Sequence, residues 1–207
     1  MKILFYDIET TGLNYWEHGM FQIAGFIYQT KPIGRYEGEI FNLKMNPNRL
    51  IDESALLFPK VTKEEIANYP NQKLVFDQFI EHIKLEDERE KIHLCGYNNS
   101  QFDNLFLKEW FKLNNVDIKD YFYSNSIDVM VLASEYLKNV RRNMQSFSLF
   151  AVAKYLSIDV DQGRLHDAIY DIEITKKIYD LITGKPPIPE VWNWNELTDE
   201  EKDKHLI

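Results

Sequence analysis

The sequence predicts an α/β domain built on a mixed five-stranded sheet flanked by helices. Three successive strands are predicted near residues 2–9, 20–29 and 36–44. Strands and helices then alternate, an order typical of a sheet that combines an antiparallel hairpin portion with parallel strands. Because 44% of the 207 residues are hydrophobic, we expect one domain with a substantial core.

The rest of the chain supplies the helices and the remaining strands. Periodicity predicts helices near 73–84, 101–114, 127–138, 146–156 and 167–183, and strands near 91–96 and 121–124. The last helix is stopped by Gly-Lys-Pro-Pro at 184–187. We therefore expect a domain over residues 1–184 and a C-terminal tail over 185–207, whose Trp192 and Trp194 either pack on the domain or bind a partner.

Cysteine content and hydropathy indicate the compartment. The one cysteine, Cys95, cannot form an internal disulfide, and its apolar setting indicates a buried free thiol in a reducing environment. The N-terminal residues lack the apolar stretch of a signal peptide, and no apolar run reaches the roughly 18 residues of a membrane span. We therefore expect a cytoplasmic protein that does not contact membranes.

Asp7 and Glu9 stand at the end of the first predicted strand. The apolar run over residues 3–8 indicates a buried strand, in which alternate side chains share a face, so the two carboxylates lie on the same side. Neighbouring carboxylates repel each other, and a hard divalent cation is their natural counter-charge. The alternative is a solvated strand end, at which Gly12 marks the turn.

Asp103 lies in the first turn of the predicted helix near 101–114. Buried acids are costly unless a cation or hydrogen bonds hold them, so Asp103 is a candidate metal ligand. It can also stabilise the helix, because Ser100 and Asp103 have the spacing of a capping box and the helix dipole favours an acid there. Neither role excludes the other.

His166 and Asp171 lie at the start of the last predicted helix. Asp171 falls on its apolar stripe, which should face the core. The charged residues expected to lie off this stripe, in solvent, are Asp167, Glu173, Lys176 and Lys177. His166 precedes the helix and is placed on the entering loop, where a histidine is either an ordinary loop residue or a catalyst.

Three short motifs in this sequence resemble those of a known enzyme family. Residues 7–12 are Asp-Ile-Glu-Thr-Thr-Gly, residues 99–103 fit Asn-x-x-Phe-Asp, and residues 166–171 fit His-x-Ala-x-x-Asp. In this order and spacing they resemble the motifs of the DEDDh group of DnaQ-like 3′-to-5′ exonucleases, over about residues 1–184. The chain departs from the commoner His-Gly-Ile-Thr of the family at 58–62, where it has Phe-Pro-Lys-Val-Thr.

The resemblance implies a ribonuclease H-like fold and a metal-dependent nuclease. It implies that Asp7, Glu9 and Asp171 bind metal directly, and that Asp103 acts through water or a second ion. Four carboxylates can bind two Mg²⁺ or Mn²⁺ ions, one activating a water molecule and the other stabilising the leaving 3′ oxygen. His166 would then be the general base. These five residues are the predicted catalytic residues, and the four acids are the predicted metal ligands.

The resemblance also implies contacts to the terminal nucleotides. The residues predicted to bind substrate are Thr10, Thr11, Gly12, Leu13, Asn99 and Phe102. Main-chain groups of the first three would approach the terminal nucleotide, and Leu13 would press on its base. Asn99 and Phe102 would shape the pocket for the following nucleotide, although the helical spacing of Phe102 favours a position in the core.

The net charge of the chain limits how much nucleic acid it can bind. A net charge of −9 disfavours the wrapping of long nucleic acid but not the binding of a few terminal nucleotides beside divalent ions. The predicted function is a 3′-to-5′ exonuclease that releases nucleoside 5′-monophosphates from single-stranded DNA or RNA 3′ ends. The alternatives are a non-catalytic nucleic-acid or polymerase-binding module of the same fold and a related endonuclease. The sequence leaves two protein partners open. One is a DNA polymerase, and the other is a second copy of the chain in a homodimer.

Overall fold

The computed structural model describes residues 1–30, 35–57, 59–84, 90–164 and 166–184. Its sheet contains the strands β1 (Lys2–Thr10), β2 (Met20–Thr30), β3 (Arg35–Glu37), β4 (Phe41–Lys44), β5 (Ile92–Gly96) and β6 (Ile127–Asp128). Both β3 and β4 pair antiparallel with β2, at the edge that β1 does not occupy, so they fill one strand position. The sheet is therefore five strands wide, as predicted, with its third predicted strand interrupted at 38–40.

Strand β1 lies at the centre of the sheet. It pairs antiparallel with β2, with Phe5 opposite Phe26, and parallel with β5, with Phe5 opposite Cys95. Strand β5 is in turn parallel to β6. The carboxyl ends of these three parallel strands therefore meet at the same edge of the sheet. The pairing of β1 with β2 becomes irregular at this edge, between Glu9 and Thr10.

Helices cover both faces of the sheet. They are α1 (Lys63–Ala67), α2 (Gln72–His82), α3 (Asp103–Leu113), α4 (Val129–Tyr136), α5 (Leu149–Tyr155) and α6 (Ala168–Gly184). Ile3 and Phe5 pack in the core that includes α4, α5 and α6, whereas Leu4, Tyr6 and Ile8 pack in the core that includes α2 and α3. Since successive side chains of a strand point to opposite faces, burial of both faces explains the uninterrupted apolar run of β1.

The five predicted helices are present, but two details near β6 differ from the prediction. At 121–124 the structure has an isolated bridge between Phe122 and Ile92 in place of a strand. The two residues of β6 occupy the start of the helix predicted over 127–138, and α4 begins at Val129. Two residues are too few to show a strand period, so the sequence pattern merged them with the helix.

Lys176 is buried, and the prediction that it would be solvated is wrong. Lys176 lies in α6, is 8% exposed as a residue, and forms an ion pair with Asp180 at 2.5 Å. The ammonium also lies 4.5 Å from the centre of the Tyr28 ring. An ion pair and a cation–π contact together offset the loss of hydration, which is why a lysine off the apolar stripe can be buried here.

Cys95 is buried and free, as predicted. Within the described ranges, no helix combines the length and the apolar character that a membrane crossing requires. The predicted tail over 185–207, with Trp192 and Trp194, lies outside the described residues.

Candidate active site

Asp7 and Glu9 lie at the carboxyl end of β1 and are both half-buried. Their i, i+2 spacing places them on one face of the strand, as predicted. Burial and the carboxylates of Asp103, Asp171 and Glu9 hold the pKa of Asp7 well above its usual range. Burial, then Asp171, Asp103 and Asp167, raises the pKa of Glu9 to about 8. The fold therefore brings acids from distant segments within electrostatic range of β1.

Asp103 is the first residue of α3 and is only 6% exposed. Burial raises its pKa to about 7, although hydrogen bonds from the backbone N–H groups of Asp103 and Ile8 lower it. The effect of Ile8 shows that the start of α3 lies near the end of β1. The capping box proposed for Ser100 and Asp103 does not form, because the Ser100 hydroxyl donates to Asp128 at 2.5 Å.

Asp171 lies in the first turn of α6 and is half-buried. Its Oδ1 atom is fully buried and accepts no hydrogen bond from any described residue. Burial, and then the carboxylate of Asp167, raises the pKa of Asp171 to about 7. A buried carboxylate oxygen without a partner is unfavourable, so a cation or a proton is needed to satisfy it.

The four acids have the chemistry of a divalent-cation site. Carboxylate oxygens are the ligands that Mg²⁺ and Mn²⁺ prefer, and the raised pKa values show that the ionised acids lack nearby positive charge. In the part of the chain that the structure describes, however, no three His, Cys, Asp or Glu side chains are arranged closely enough to hold one ion as they stand. The acids interact electrostatically without forming a closed ligand cage.

His166 lies on the loop before α6 and is the one exposed member of the predicted catalytic set. Its ring is edge-on to the ring of Phe150, with 6.5 Å between the two centroids. Its backbone has a φ of 65°, in the left-handed region, which histidine enters more readily than most residues. The structure therefore places the predicted base at the amino end of the helix that contains Asp171.

The polar groups of Thr11 form hydrogen bonds with other residues of the protein. Its backbone N–H donates to the carbonyl of Gly19 at 2.9 Å, and its carbonyl accepts from the N–H of Asp52 at 2.7 Å. Its hydroxyl donates to the carbonyl of Leu50 at 2.6 Å. A direct substrate contact by Thr11 stays a prediction, but these bonds give it a different role, which is to hold residues 46–57 against the end of β1.

The turn after β1 is compact around Gly12. The hydroxyl of Thr10 donates to the carbonyl of Gly12 at 2.8 Å, and a Cβ atom at Gly12 would lie 2.3 Å from the His18 ring. Only glycine fits this close approach. The next residue, Leu13, has 78% of its side chain exposed and is available for the predicted contact with a base.

Asn99 and Phe102 precede α3 and differ in their surroundings. Asn99 is fully buried, and neither Oδ1 nor Nδ2 of its amide has a hydrogen-bond partner among the described residues. Phe102 is half-buried and packs on Phe106, with ring centroids 5.0 Å apart, in the core between the sheet and α2 and α3. The packing of Phe102 matches the core position that its helical spacing favours.

Asp128 is a buried acid beside the site that the sequence motifs did not identify. Its carboxylate accepts from the N–H of Asn98 at 3.0 Å, from the hydroxyl of Ser100 at 2.5 Å and from the N–H of Met130 at 3.0 Å. It therefore joins the loop before Asp103 to the start of α4. An aspartate immediately before an apolar helix is an N-cap signal that was available in the sequence.

Asp167 also contributes more than a solvated charge. It is exposed, as expected, but its carboxylate accepts from the N–H groups of Ile169 and Tyr170 at 3.0 and 3.3 Å and so caps α6. It also raises the pKa of both Glu9 and Asp171. The site thus contains a fifth negative charge, held in place by the helix that it caps.

The fold and this arrangement of acids agree with comparisons to known proteins. The family model described as Exonuclease matches residues 4–179. The chain belongs to the DEDDh, DnaQ-like family of 3′-to-5′ exonucleases. A relative named DNA polymerase III subunit epsilon, from Pasteurella multocida, is 30% identical over 183 residues, which are 86% of this chain and 66% of that protein. The subunit of the same name from Escherichia coli K12 is 27% identical over 86% of this chain and 70% of its own length.

Solved structures of exonucleases have the same fold. Exonuclease I of Escherichia coli, solved in a zinc-bound form with single-stranded DNA, superposes with a TM-score of 0.71 at 20% identity, over 90% of this chain and 41% of that chain. Exonuclease I of Methylocaldum szegediense gives the same TM-score, identity and coverage. This exonuclease domain therefore has the ribonuclease H-like fold predicted from its motifs. It spans 66% of the length of the epsilon subunits from Pasteurella multocida and Haemophilus influenzae.

Proposed function

We propose that this domain hydrolyses phosphodiester bonds at single-stranded nucleic-acid 3′ ends and releases nucleoside 5′-monophosphates in a metal-dependent reaction. The observation that supports this most strongly is the group formed by Asp7, Glu9, Asp103 and Asp171. They come from β1, α3 and α6, and burial together with repulsion from neighbouring carboxylates raises their pKa values. Burying several carboxylates together is energetically unfavourable, and strongly shifted pKa values of this kind are typical of functional sites.

The proposed cofactors are two divalent cations, Mg²⁺ or Mn²⁺. Asp7, Glu9 and Asp171 would bind them directly, and Asp103 would contribute through water or to the second ion. Bound cations supply charge that activates water and stabilises the leaving 3′ oxygen. The unpartnered Oδ1 of Asp171 supports this assignment, since it is a buried acceptor that no described residue satisfies. Coordination would require the acids to approach one another more closely than they do here.

The remaining roles follow from position and exposure. His166 would accept the proton of the attacking water, and its exposed loop allows that proton to pass to solvent. Leu13 would contact the terminal base with its exposed side chain. Asn99 would offer its unpartnered amide to the next nucleotide. Thr10, Thr11, Gly12 and Phe102 would shape the pocket mainly by holding the turn after β1 and the start of α3.

The proposed substrate and partners derive from the relatives. Exonuclease I is described with single-stranded DNA, and the epsilon relatives are named as subunits of DNA polymerase III. We therefore propose single-stranded DNA or RNA 3′ ends as substrate and a DNA polymerase as a protein partner, in the cytoplasm. A homodimer is the alternative assembly. Residues 1–184 would form the catalytic domain and 185–207 a tail.

The test is product analysis on matched DNA and RNA oligonucleotides. With a 5′ label and Mn²⁺, the proposal requires a ladder that shortens one nucleotide at a time from the 3′ end, together with nucleoside 5′-monophosphates. Asp7→Asn should give neither product. Cleavage of a circular single strand would favour an endonuclease, and binding without any release would favour a non-catalytic module. Comparing the initial rates on DNA and RNA then identifies the preferred sugar.

A further inference from the structure

Trp16 is an exposed tryptophan in the turn between β1 and β2. Its side chain is 58% exposed, and the neighbouring Leu13 and Leu50 are 78% and 66% exposed. Leu50 belongs to the same surface because its N–H donates to the carbonyl of Glu17 at 3.3 Å. Scattered apolar side chains are normal on a protein surface, but three large exposed ones on two hydrogen-bonded segments are the reason for treating this turn as a candidate binding surface. We call Leu13, Trp16 and Leu50 the Trp16 surface.

The backbone beneath Trp16 is held firmly. The guanidinium of Arg49 donates to the carbonyl of Trp16 at 2.7 Å and pairs with Glu109 at 3.0 Å, which anchors the turn to α3. Tyr15 contacts the indole edge-on, with centroids 4.9 Å apart, and itself packs against Phe106 of the core. The indole is therefore presented to solvent on a fixed support, so that a ligand would order few additional groups on binding.

The Trp16 surface directly follows the candidate active site along the chain. Strand β1 contains Asp7 and Glu9 and leads directly into the turn of Leu13 and Trp16. The hydroxyl of Thr11 joins this turn to the carbonyl of Leu50 at 2.6 Å. A strand whose 3′ end lies at the carboxylates, with its terminal base on Leu13, would therefore extend past this surface.

The charges around the Trp16 surface favour bases over phosphates as its ligand. Arg49 is already paired with Glu109, and Glu17 and Asp52 add negative charge to the same two segments. The whole chain has a net charge of −9. A nucleobase is neutral, flat and aromatic, and it stacks on tryptophan without any cation. Because the negative charge of this region weakens contacts with phosphates, stacking of bases on Trp16 is the interaction that can provide affinity for the strand.

We propose that Trp16 stacks a base of the single-stranded substrate upstream of the terminal nucleotide, in a manner that tolerates any sequence. This inference rests on the proposed exonuclease function and adds a binding residue outside the three motifs. Stacking on an aromatic side chain acts on substrate binding and not on the reacting phosphate. Loss of Trp16 should therefore raise KM and leave kcat close to that of the wild type.

The test is an abasic scan measured on removal of the first nucleotide only. Oligonucleotides with one abasic site at the second, third, fourth or fifth position from the 3′ end, and a normal terminal nucleotide, are compared with an intact strand. In the wild type, an abasic site at one of these positions should raise KM about 5- to 150-fold, the range expected for the loss of one stacked base. Trp16→Ala should raise KM similarly on the intact strand and abolish the penalty at that position. Trp16→Phe should keep part of the wild-type affinity for the intact strand and part of the penalty at the abasic position.

Tyr123→Ala is the matched control. Tyr123 is 40% exposed, but it lies beside Ile92 at the amino end of β5, at the opposite end of the sheet from the carboxylates. It should leave the abasic profile unchanged. If Trp16→Ala has the same KM and the same abasic profile as the wild type, the stacking proposal is wrong, whereas the exonuclease assignment stands. A variant that loses kcat equally on every substrate would also overturn it, by showing a structural role. Absence of mononucleotide release from every substrate would instead refute the proposed function.

Discussion

The four carboxylates of the candidate site lie on regular secondary structure, whereas His166 lies on an exposed loop. Asp7 and Glu9 are fixed by the central strand β1, and Asp103 and Asp171 by the first turns of α3 and α6. The acids have raised pKa values and lie within electrostatic range of neighbouring carboxylates, and no described residue satisfies Oδ1 of Asp171. His166 is outside the packed core and has a left-handed backbone.

This difference separates two kinds of stored free energy. In the acidic region the unfavourable term is electrostatic, because like charges are buried together without a counter-charge. At His166 the unfavourable term is conformational, because a left-handed φ costs a non-glycine residue on the order of 1 kcal/mol. A cation would relieve the first term and leave the second unchanged. Changes in the two regions should therefore have separable effects on metal binding and on proton transfer.

Replacement of an acid should have the largest effect. Asp171→Asn removes the charge of a proposed ligand, so cleavage should be abolished, while the fold stays intact and its metal-free melting temperature is unchanged or higher. Turnover and melting in EDTA should be measured on both proteins. Glu173→Gln, on the same helix and paired with Arg164 at 3.8 Å, is the control that should cleave nearly as the wild type does. Near-normal turnover in Asp171→Asn would show that the acidic region is not the metal site.

Replacement of His166, the proposed general base, should have a smaller effect on the rate and little effect on metal binding. His166→Ala should reduce the rate about 10²- to 10⁴-fold, a typical general-base contribution. Asparagine tolerates a left-handed backbone, so His166→Asn separates loss of the base from backbone strain. Both variants should bind Mn²⁺ as the wild type does by calorimetry. Loss of Mn²⁺ binding would make His166 a ligand or a structural residue.

The stability of the metal-free domain should decrease as pH rises. Glu9 has a folded-state pKa of about 8, and Asp103 and Asp171 of about 7, all above their unfolded values near 4. Between pH 4 and 8 the folded state therefore binds more protons, and deprotonation removes on the order of a few kcal/mol of stability. Urea unfolding in EDTA at pH 5, 6, 7 and 8 measures this loss. Mn²⁺ should reverse the trend near pH 8, and a flat metal-free profile would contradict the electrostatic account.

The salt dependence of binding should be the smallest effect. Each phosphate neutralised on a single strand contributes about −0.7 to the slope of log affinity against log salt. The acidic chain should hold only two to four phosphates, which gives a slope between roughly −1.5 and −3. Titration of Asp171→Asn with oligonucleotides of increasing length, at several KCl concentrations and constant divalent ion, measures it. Affinity that still rises well beyond about five nucleotides would reveal an extended binding track.

Several parts of the fold and the site could be predicted because they depend on local periodicity. A period of two places Asp7 and Glu9 on one face of β1, and the helical period places Asp171 toward the core. The motifs also indicated the family and the ribonuclease H-like fold, and both are confirmed. The catalytic and binding roles of the individual residues stay predictions. The split between β3 and β4 at 38–40 was missed, although Gly38, between Glu37 and Glu39, is the kind of residue that interrupts a strand.

The sequence by itself determined which side chains share a face of a strand or a helix, since that depends only on the repeat of the backbone. The tertiary structure alone decided which faces meet. It brought Asp103 and Asp171 within electrostatic range of Glu9, joined Asp128 to Ser100, and buried Lys176 against Tyr28. These outcomes depend on contacts between residues far apart in the chain, where burial and neighbouring charges, and not local pattern, set the free energy of each group.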